Sequence, residues 1–496
     1  MAHNVVRRAS APFLLTAALA GFLHADVRLP ALISDHMLLQ QGVPVRIWGS
    51  ATPGEAVRVS FRGQEAATVA AADGRWSVWL RPMNPGQPAE LTVAGANSIT
   101  IRDVLVGEVW VGSGQSNMGM TVARSNNAEE EIAKSANPSI RLFDVKRTVA
   151  DQPLSEVVGS WMICGPETVR NFSAAAYFFA RDLYSARRVP VGMIHSSWGG
   201  TPVQAWTARS ATEAEPALRW ILEDWQRTLD EYPGARARYE KTLAGWKPNS
   251  GTPKPYPPIG PGDPHAPFVL YNGMIAPLTP YAIRGVIWYQ GENNASERQA
   301  YIYRRMFRTM IEDWRRAWGQ GDFPFLFVQL ANFDTNPFWP TLRESQTDAL
   351  SLRNTGMAVA IDIGESKDIH PRNKQEVGRR LALAARHVAY GEALVYSGPL
   401  FRQLTTEGGR LRAWFDHAEG LAAKGGGPVT GFAVAGEDGN YVPAEARIDG
   451  DAVLVSSPQV AKPVSVRYAW AADPVCNLVN GEGLPASPFR AGERLR

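Results

Sequence analysis

The apolar run Val104-Leu105-Val106-Gly107-Glu108-Val109-Trp110-Val111 leads without a break into Gly112-Ser113-Gly114-Gln115-Ser116-Asn117-Met118. A mostly apolar stretch that ends in a glycine-punctuated turn reads as a buried strand. Glycine lets the chain adopt backbone angles closed to other residues, so Ser116 would stand at the tip of a turn held rigidly by the strand. A hydroxyl aimed from such a tip is what an attacking nucleophile requires. A lone Gly-x-Ser more often marks an ordinary surface turn. The reading of this one is decided by what the rest of the chain offers it.

Around that turn, from about residue 104 to 395, apolar strands alternate with helical patterns. The strands are 189–194, 285–289, 325–329 and 357–363, and the helices 174–186, 298–318 and 373–390. Alternation of this kind predicts an α/β domain, a parallel sheet flanked by helices. Ligands of such sheets bind beyond the carboxyl ends of the strands. Residues 26–103 carry short alternating strands, such as Val45 to Trp48, Val57 to Phe61 and Trp76 to Leu80, with Pro53-Gly54 and Asp73-Gly74 between them. They predict a small N-terminal β-sandwich-like domain. The same pattern returns over 396–496 and predicts a second β-domain. Residues 210–265 interrupt the α/β pattern with an acidic, Trp-containing helical stretch and the proline-rich Pro253-Lys254-Pro255-Tyr256-Pro257-Pro258, an insertion or lid-like excursion.

The 496 residues carry 51 basic and 48 acidic side chains, a net charge of +3. That balance offers no strong field for nucleic acid or an anionic membrane, and neither is expected as a partner. Arg7 and Arg8 precede the apolar stretch Ala11 to Leu23, with the small Ala25 before Asp26. Residues 1–25 therefore read as a secretory signal, too short to span a bilayer, and the mature chain is expected in the periplasm or outside the cell. No later segment is apolar enough to insert in a membrane. Cys164 and Cys476 give no disulfide framework, and two separate thiols are expected. No Cys/His cluster has metal-ligand spacing, so neither a metal nor any other cofactor is predicted. Oligomeric state is not encoded in any pattern of the chain.

A serine nucleophile needs a base, and imidazole is suited to that near neutral pH. Four of the eight histidines lie in the α/β region: His195, His265, His370 and His387. His387 falls within the last helix, and His195 ends a strand, where a buried, hydrogen-bonded role is expected. His265 closes the proline-rich excursion and is placed to border a cleft. His370 has the best setting. It stands in Asp368-Ile369-His370-Pro371, a loop between a strand and a helix, with a carboxylate two residues before the imidazole. Asp368 would serve equally as a turn cap.

Acyl transfer also needs donors for the oxyanion of the tetrahedral intermediate. Ser197-Trp198-Gly199-Gly200-Thr201 offers backbone N–H groups freed by paired glycines. Trp288-Tyr289-Gln290-Gly291-Glu292-Asn293-Asn294 offers side-chain amides. Four loops at four strand ends thus suit one reaction.

The ordered set of Gly-Gln-Ser-Asn-Met, Ser-Ser-Trp-Gly-Gly-Thr-Pro, Trp-Tyr-Gln-Gly-Glu-Asn-Asn and Asp-Ile-His-Pro resembles the sialate O-acetylesterase family of SGNH-type hydrolases. The tail from Asn477 to Arg490 is similar to that family as well. The resemblance covers nearly all of the expected mature chain. It implies an SGNH-hydrolase-like fold and a secreted carbohydrate O-acetylesterase, with Ser116 as nucleophile and His370 as base and then acid. It further implies an oxyanion hole from the Ser116 N–H, a glycine of the Gly199-Gly200 pair, and an amide of the third block, either Gln290 or Asn293. Gln115, Trp198 and Glu292, in the same blocks, are candidates for contact with substrate. The superfamily's aspartate stands three residues before its histidine and Asp368 only two, so either Asp368 or a backbone carbonyl would orient His370. An acetylated carbohydrate is the implied partner, on sialic acid or on plant hemicellulose such as xylan or xyloglucan. For a sialate carboxylate, chain position nominates Arg102, Arg124, Arg284 and Arg372. A carbohydrate-binding protein with a silent centre is the competing class. A lipase or peptidase elbow is disfavoured because Met118 replaces the second glycine of Gly-x-Ser-x-Gly.

Overall fold

The computed structural model describes Met1, residues 26–248 and residues 251–492. The export signal expected at 1–25 lies, Met1 apart, outside the described residues. No helix among the described residues is long and apolar enough to cross a membrane.

The apolar run Val104 to Val111 lies in the carboxyl half of one strand, Ser98–Gly114. From Val104 to Gly114 every residue is buried, which is why that half reads as continuously apolar, whereas its amino half is partly exposed. The change falls at Asp103, whose φ of 56° bends the strand. Its amino half, as far as Val104, pairs antiparallel with Ala89–Ala94, and from Glu108 the strand lies in the central sheet. The boundary expected between 103 and 104 therefore lies within one continuous strand. The Asp103 carboxylate takes two hydrogen bonds from the buried Arg141 guanidinium, at 2.6 and 3.0 Å, which fixes the bend.

The central sheet runs Thr355–Val359, Phe325–Gln329, Gly285–Tyr289, Ser98–Gly114, Val191–Ser197, Asn137–Asp144, Trp161–Cys164 in spatial order. All neighbours are parallel except the last pair. The sheet is thus the expected helix-flanked parallel sheet, made mixed by one antiparallel strand at its edge. The chain fills one side of Ser98–Gly114 before crossing to the other, so its carboxyl end is the topological switch point, where sheets of this kind bind their ligands. On one face Trp110 packs edge-on to Phe179 of the helix Ala174–Arg187, centroids 5.0 Å apart. On the other, Trp288 packs against Phe307 and Trp314 of the helix Gln299–Trp318.

Val191–Ser197 extends through Ser197 rather than ending at Ile194, so His195 sits inside the strand. The excursion contains a 27-residue helix, Arg219–Gly245, of which only Ile221 is buried. The C-terminal region forms two four-stranded antiparallel sheets, with the rings of Phe401, Phe415 and Phe432 each packed on that of Phe489. Arg343, fully buried, joins this region to the α/β part. Its guanidinium donates to the carbonyls of Leu330 and Ala331 on one side and Ala471 and Ala472 on the other, at 2.7–2.9 Å. Cys164 and Cys476 are both free thiols, as expected.

Candidate active site

Ser116 opens a single helical turn, Ser116–Gly119, directly after the central strand. Gly114 has a φ of 138°, and a Cβ there would lie 2.1 Å from the Tyr289 carbonyl oxygen. Only glycine fits. That close approach lets the Gln115 N–H donate to the Tyr289 carbonyl at 3.0 Å, which turns the chain and half-exposes Ser116. Behind the turn, the Ser173 hydroxyl donates to the Met118 carbonyl at 2.6 Å and so seats it on the helix Ala174–Arg187.

Asn117, almost wholly buried, connects three of the four blocks. Its amide donates to the Ile369 carbonyl at 2.9 Å and to Glu292 Oε1 at 2.6 Å. Its carbonyl oxygen accepts from Lys374 Nζ at 2.7 Å, and Lys374 also donates to the Pro371 carbonyl at 2.8 Å. The residues next to Ser116 and next to His370 are thereby bonded to each other. The second block meets the same turn, because a Cβ on Gly199 would lie 3.3 Å from Ser116 Cβ. Among the described residues, no protein carbonyl accepts from the backbone N–H of Ser116 or of Gly199.

Asp368 spends one oxygen on the turn: its Oδ1 accepts the His370 backbone N–H at 2.9 Å, while His370 Nδ1 lies 3.6 Å from the same atom. The second distance is too long for a hydrogen bond, although the charge still acts on the ring. Burial pushes the His370 imidazole below its ordinary pKa. Asp368 pulls it back up, and Lys374 and Arg124 lower it. Burial likewise raises the Glu292 carboxyl and brings the Lys374 ammonium down to about 7.

The two third-block amides differ sharply. Gln290 is fully buried, donating to the Thr201 carbonyl and Asn294 Oδ1 and accepting from the Tyr303 hydroxyl. Asn293 is exposed. It places one Nδ2 hydrogen on the Gly200 carbonyl at 2.6 Å and retains a second. The positive φ of Gly291, 152°, makes the difference by turning the chain between them. Gln115 is buried and accepts the Asn293 N–H on its Oε1 at 3.3 Å. Trp198 is half-buried, with the Arg147 guanidinium 5.9 Å above its ring. His265, held by Asp263 at 2.7 Å, borders the same loop, its Nε2 3.5 Å from where a Gly200 Cβ would stand.

Of the four nominated arginines, Arg102 pairs with Glu90 and Arg284 with Glu108, toward the other end of the central strand. Arg124 acts on both His370 and Lys374. Arg372 is held through its backbone, its N–H donating to Glu365 Oε1 at 2.9 Å and its carbonyl accepting the Asn126 N–H at 2.9 Å. No local sequence pattern marks Arg147 or Lys374 as part of the site. Lys374 heads an amphipathic helix, where lysine usually faces water, and no local pattern marks it as buried. Lys374→Met is expected to leave Asn117 Oδ1 and the Pro371 carbonyl without a donor, at about 1–3 kcal/mol each. Urea unfolding measured beside acetate release checks this, and a variant as stable and active as the parent would refute the clamp.

Residues 106–232 and 266–387 match the family described as carbohydrate esterase, sialic acid-specific acetylesterase. The unmatched 233–265 covers the latter part of the surface helix and its proline-rich return. The chain is 33% identical over 519 residues to the sialate O-acetylesterase of Rattus norvegicus, covering 94% of each chain. With that of Homo sapiens it shares 34% over 420 residues, 75% of this chain and 73% of the relative. Among solved structures it resembles a carbohydrate acetylesterase from Xanthomonas citri at 40% identity and a TM-score of 0.82, covering 94% of this chain and 99% of that one.

Proposed function

Because the chain belongs to the sialic acid-specific acetylesterase family of carbohydrate esterases, we propose that it hydrolyses acetyl esters on sugars through an acetyl-enzyme on Ser116. Ser116 Oγ attacks the acetyl carbonyl carbon while His370 takes its proton through Nε2, since Nδ1 is the ring nitrogen nearer Asp368. The Ser116 and Gly199 N–H groups and the second Asn293 amide hydrogen meet the oxyanion. Collapse of the intermediate breaks the ester bond, and His370 returns the proton to the departing sugar oxygen. Water then attacks the acetyl carbon, His370 accepts its proton, and acetate leaves as Ser116 regains its hydrogen. His370 works here mainly as half of a dyad, with Asp368 shaping the loop and contributing charge.

The observation that carries this reading is the convergence on one turn. Gly199 touches Ser116 on one side, and Asn117 bonds the His370 loop on the other. A serine-directed phosphonate is expected to form one adduct, on Ser116. An unlabelled protein that still binds acetylated sugars would return it to the class of binding proteins.

The proposed sugar is an acetylated sialic acid. Arg124 and Arg147 are exposed and have no ion pair among the described residues. Arg124 lies within electrostatic reach of His370 and Arg147 over Trp198, which favours a substrate bearing a carboxylate over a neutral hemicellulose. Acetate release from acetylated sialic acid, xylan and xyloglucan, measured together, tests this. A preference of about 10-fold for a neutral polymer would overturn the choice of sugar and leave the chemistry standing.

A second expectation concerns pH. With the folded pKa of His370 lowered, the imidazole stays neutral to lower pH than a free one. The acid limb of kcat/KM should then fall below about pH 6.5. A limb centred well above that value would be wrong for His370 as base. Export belongs to the same reading and rests on residues 1–25 alone. N-terminal sequencing of protein recovered outside the cytoplasm checks the cut near Asp26.

A further inference from the structure

We propose that Asp144, His195 and Ser197 form a hydrogen-bonded relay that positions the Trp198-Gly199-Gly200 loop against Ser116, and that the relay is not a second nucleophilic triad. The proposal rests on the oxyanion role given above to Gly199.

The distances resemble those of a catalytic triad. His195 Nδ1 lies 2.7 Å from Asp144 Oδ1 and His195 Nε2 lies 2.7 Å from Ser197 Oγ. The Asp144 carboxylate accepts, so Nδ1 carries the ring hydrogen and Nε2 accepts the Ser197 hydroxyl proton. Sheet geometry produces the alignment. His195 and Ser197 are two apart on one strand and share a face, and Asp144 is the register partner of His195 on the neighbouring parallel strand.

Burial argues against nucleophilic work. Ser197 is 3% exposed, and Gly119 crosses over it so closely that a Cβ there would stand 2.9 Å from Ser197 Oγ. A substrate carbonyl has no path to that oxygen. What the bond does is pin the last residue of the strand, facing the turn that carries Ser116. The chain then leaves the sheet: the Trp198 N–H donates to the Gly114 carbonyl at 3.1 Å, and Gly199 arrives against Ser116. Two consecutive glycines have little conformational preference of their own, so their place must be imposed from the flanks. Asn293 imposes it at the Gly200 carbonyl, and Ser197 imposes it at the strand end. Asp144 is half-exposed, which marks it as the outer anchor that sets the imidazole tautomer.

Ser197→Ala and His195→Gln test the relay, each compared with the parent for kcat, KM and phosphonate labelling. Each is expected to lower kcat by about 10- to 100-fold with KM changed less than about threefold, since a displaced oxyanion donor matters in the transition state and not in binding. The double variant should lose no more than the worse single one, because the residues act as a unit. The adduct should stay on Ser116 but form more slowly. Should either buried variant fail to fold, the solvent-facing Asp144→Ala carries the test. It should lower kcat at least about threefold, with Asp144→Asn restoring most of that by keeping an acceptor. Folded variants whose kcat lies within about twofold of the parent would refute the relay and leave Ser116 as nucleophile. An adduct on Ser197 would refute both the relay and the Ser116 reading.

Discussion

Ser116→Ala is expected to lower kcat for acetate release by about 10⁴-fold or more while leaving the unfolding free energy within about 1 kcal/mol of the parent. The asymmetry follows from the structure. The Ser116 side chain is half-exposed, and the turn around it is held by the backbone of Gln115, by Asn117 and by Ser173. Removing Ser116 Oγ therefore leaves no buried donor or acceptor unpaired, whereas chemically it removes the only atom proposed to carry the acetyl group. Coupled acetate detection beside a thermal melt reads both quantities. A loss below about tenfold would mean that water attacks directly with His370 as base. The contrast with Ser197→Ala is informative in itself, because that serine is proposed to hold a loop and its removal should cost far less.

Gly114→Ala is the second large effect, and it reaches stability and activity together. Alanine brings a Cβ to within 2.1 Å of the Tyr289 carbonyl oxygen at a φ of 138°, so the two central strands must part or the turn must rotate. Strain and overpacking together should destabilise the fold by about 3 kcal/mol or more. Either escape breaks the Gln115 to Tyr289 hydrogen bond and shifts Ser116 relative to Gly199 and the His370 loop. A displacement near 1 Å is worth about 10²-fold in rate. Urea unfolding and kcat on the folded fraction separate the two losses. An alanine variant with parental stability would show that the turn does not need this close approach.

The four blocks are legible in the sequence because each is local. A buried strand followed by glycine, polar and aromatic residues announces a loop at a sheet edge wherever its neighbours lie. The third block is legible as a donor segment but not as to which amide. Gln290 and Asn293 stand three residues apart, and only the backbone reversal at Gly291 sends one into the core and the other to the surface. Asp368 is ambiguous for a similar reason. Its two-residue spacing from His370 allows both a turn bond and an ion pair, and the loop's actual path gives the bond to the backbone N–H. Lys374 is illegible, since a lysine heading an amphipathic helix looks solvated until Asn117 and the Pro371 carbonyl are brought over it.

By itself the sequence determines the strand that carries Ser116, the order of the loops that follow strands, and the side-chain chemistry those loops offer. These depend on periodicity and on glycine's backbone freedom, both of which act over a few residues. Only the tertiary structure decides which loops touch. Asp144 meets His195 across 51 residues because two strands pair in one register, and a shift of a single residue would turn His195 and Ser197 to the other face. Asn117 meets Ile369 across 252 residues because the chain fills one side of the sheet before the other, which leaves the turn after Gly114 at the switch point between the two halves. Pairing register and strand order come from the packing of the whole core, and no short window of residues contains them.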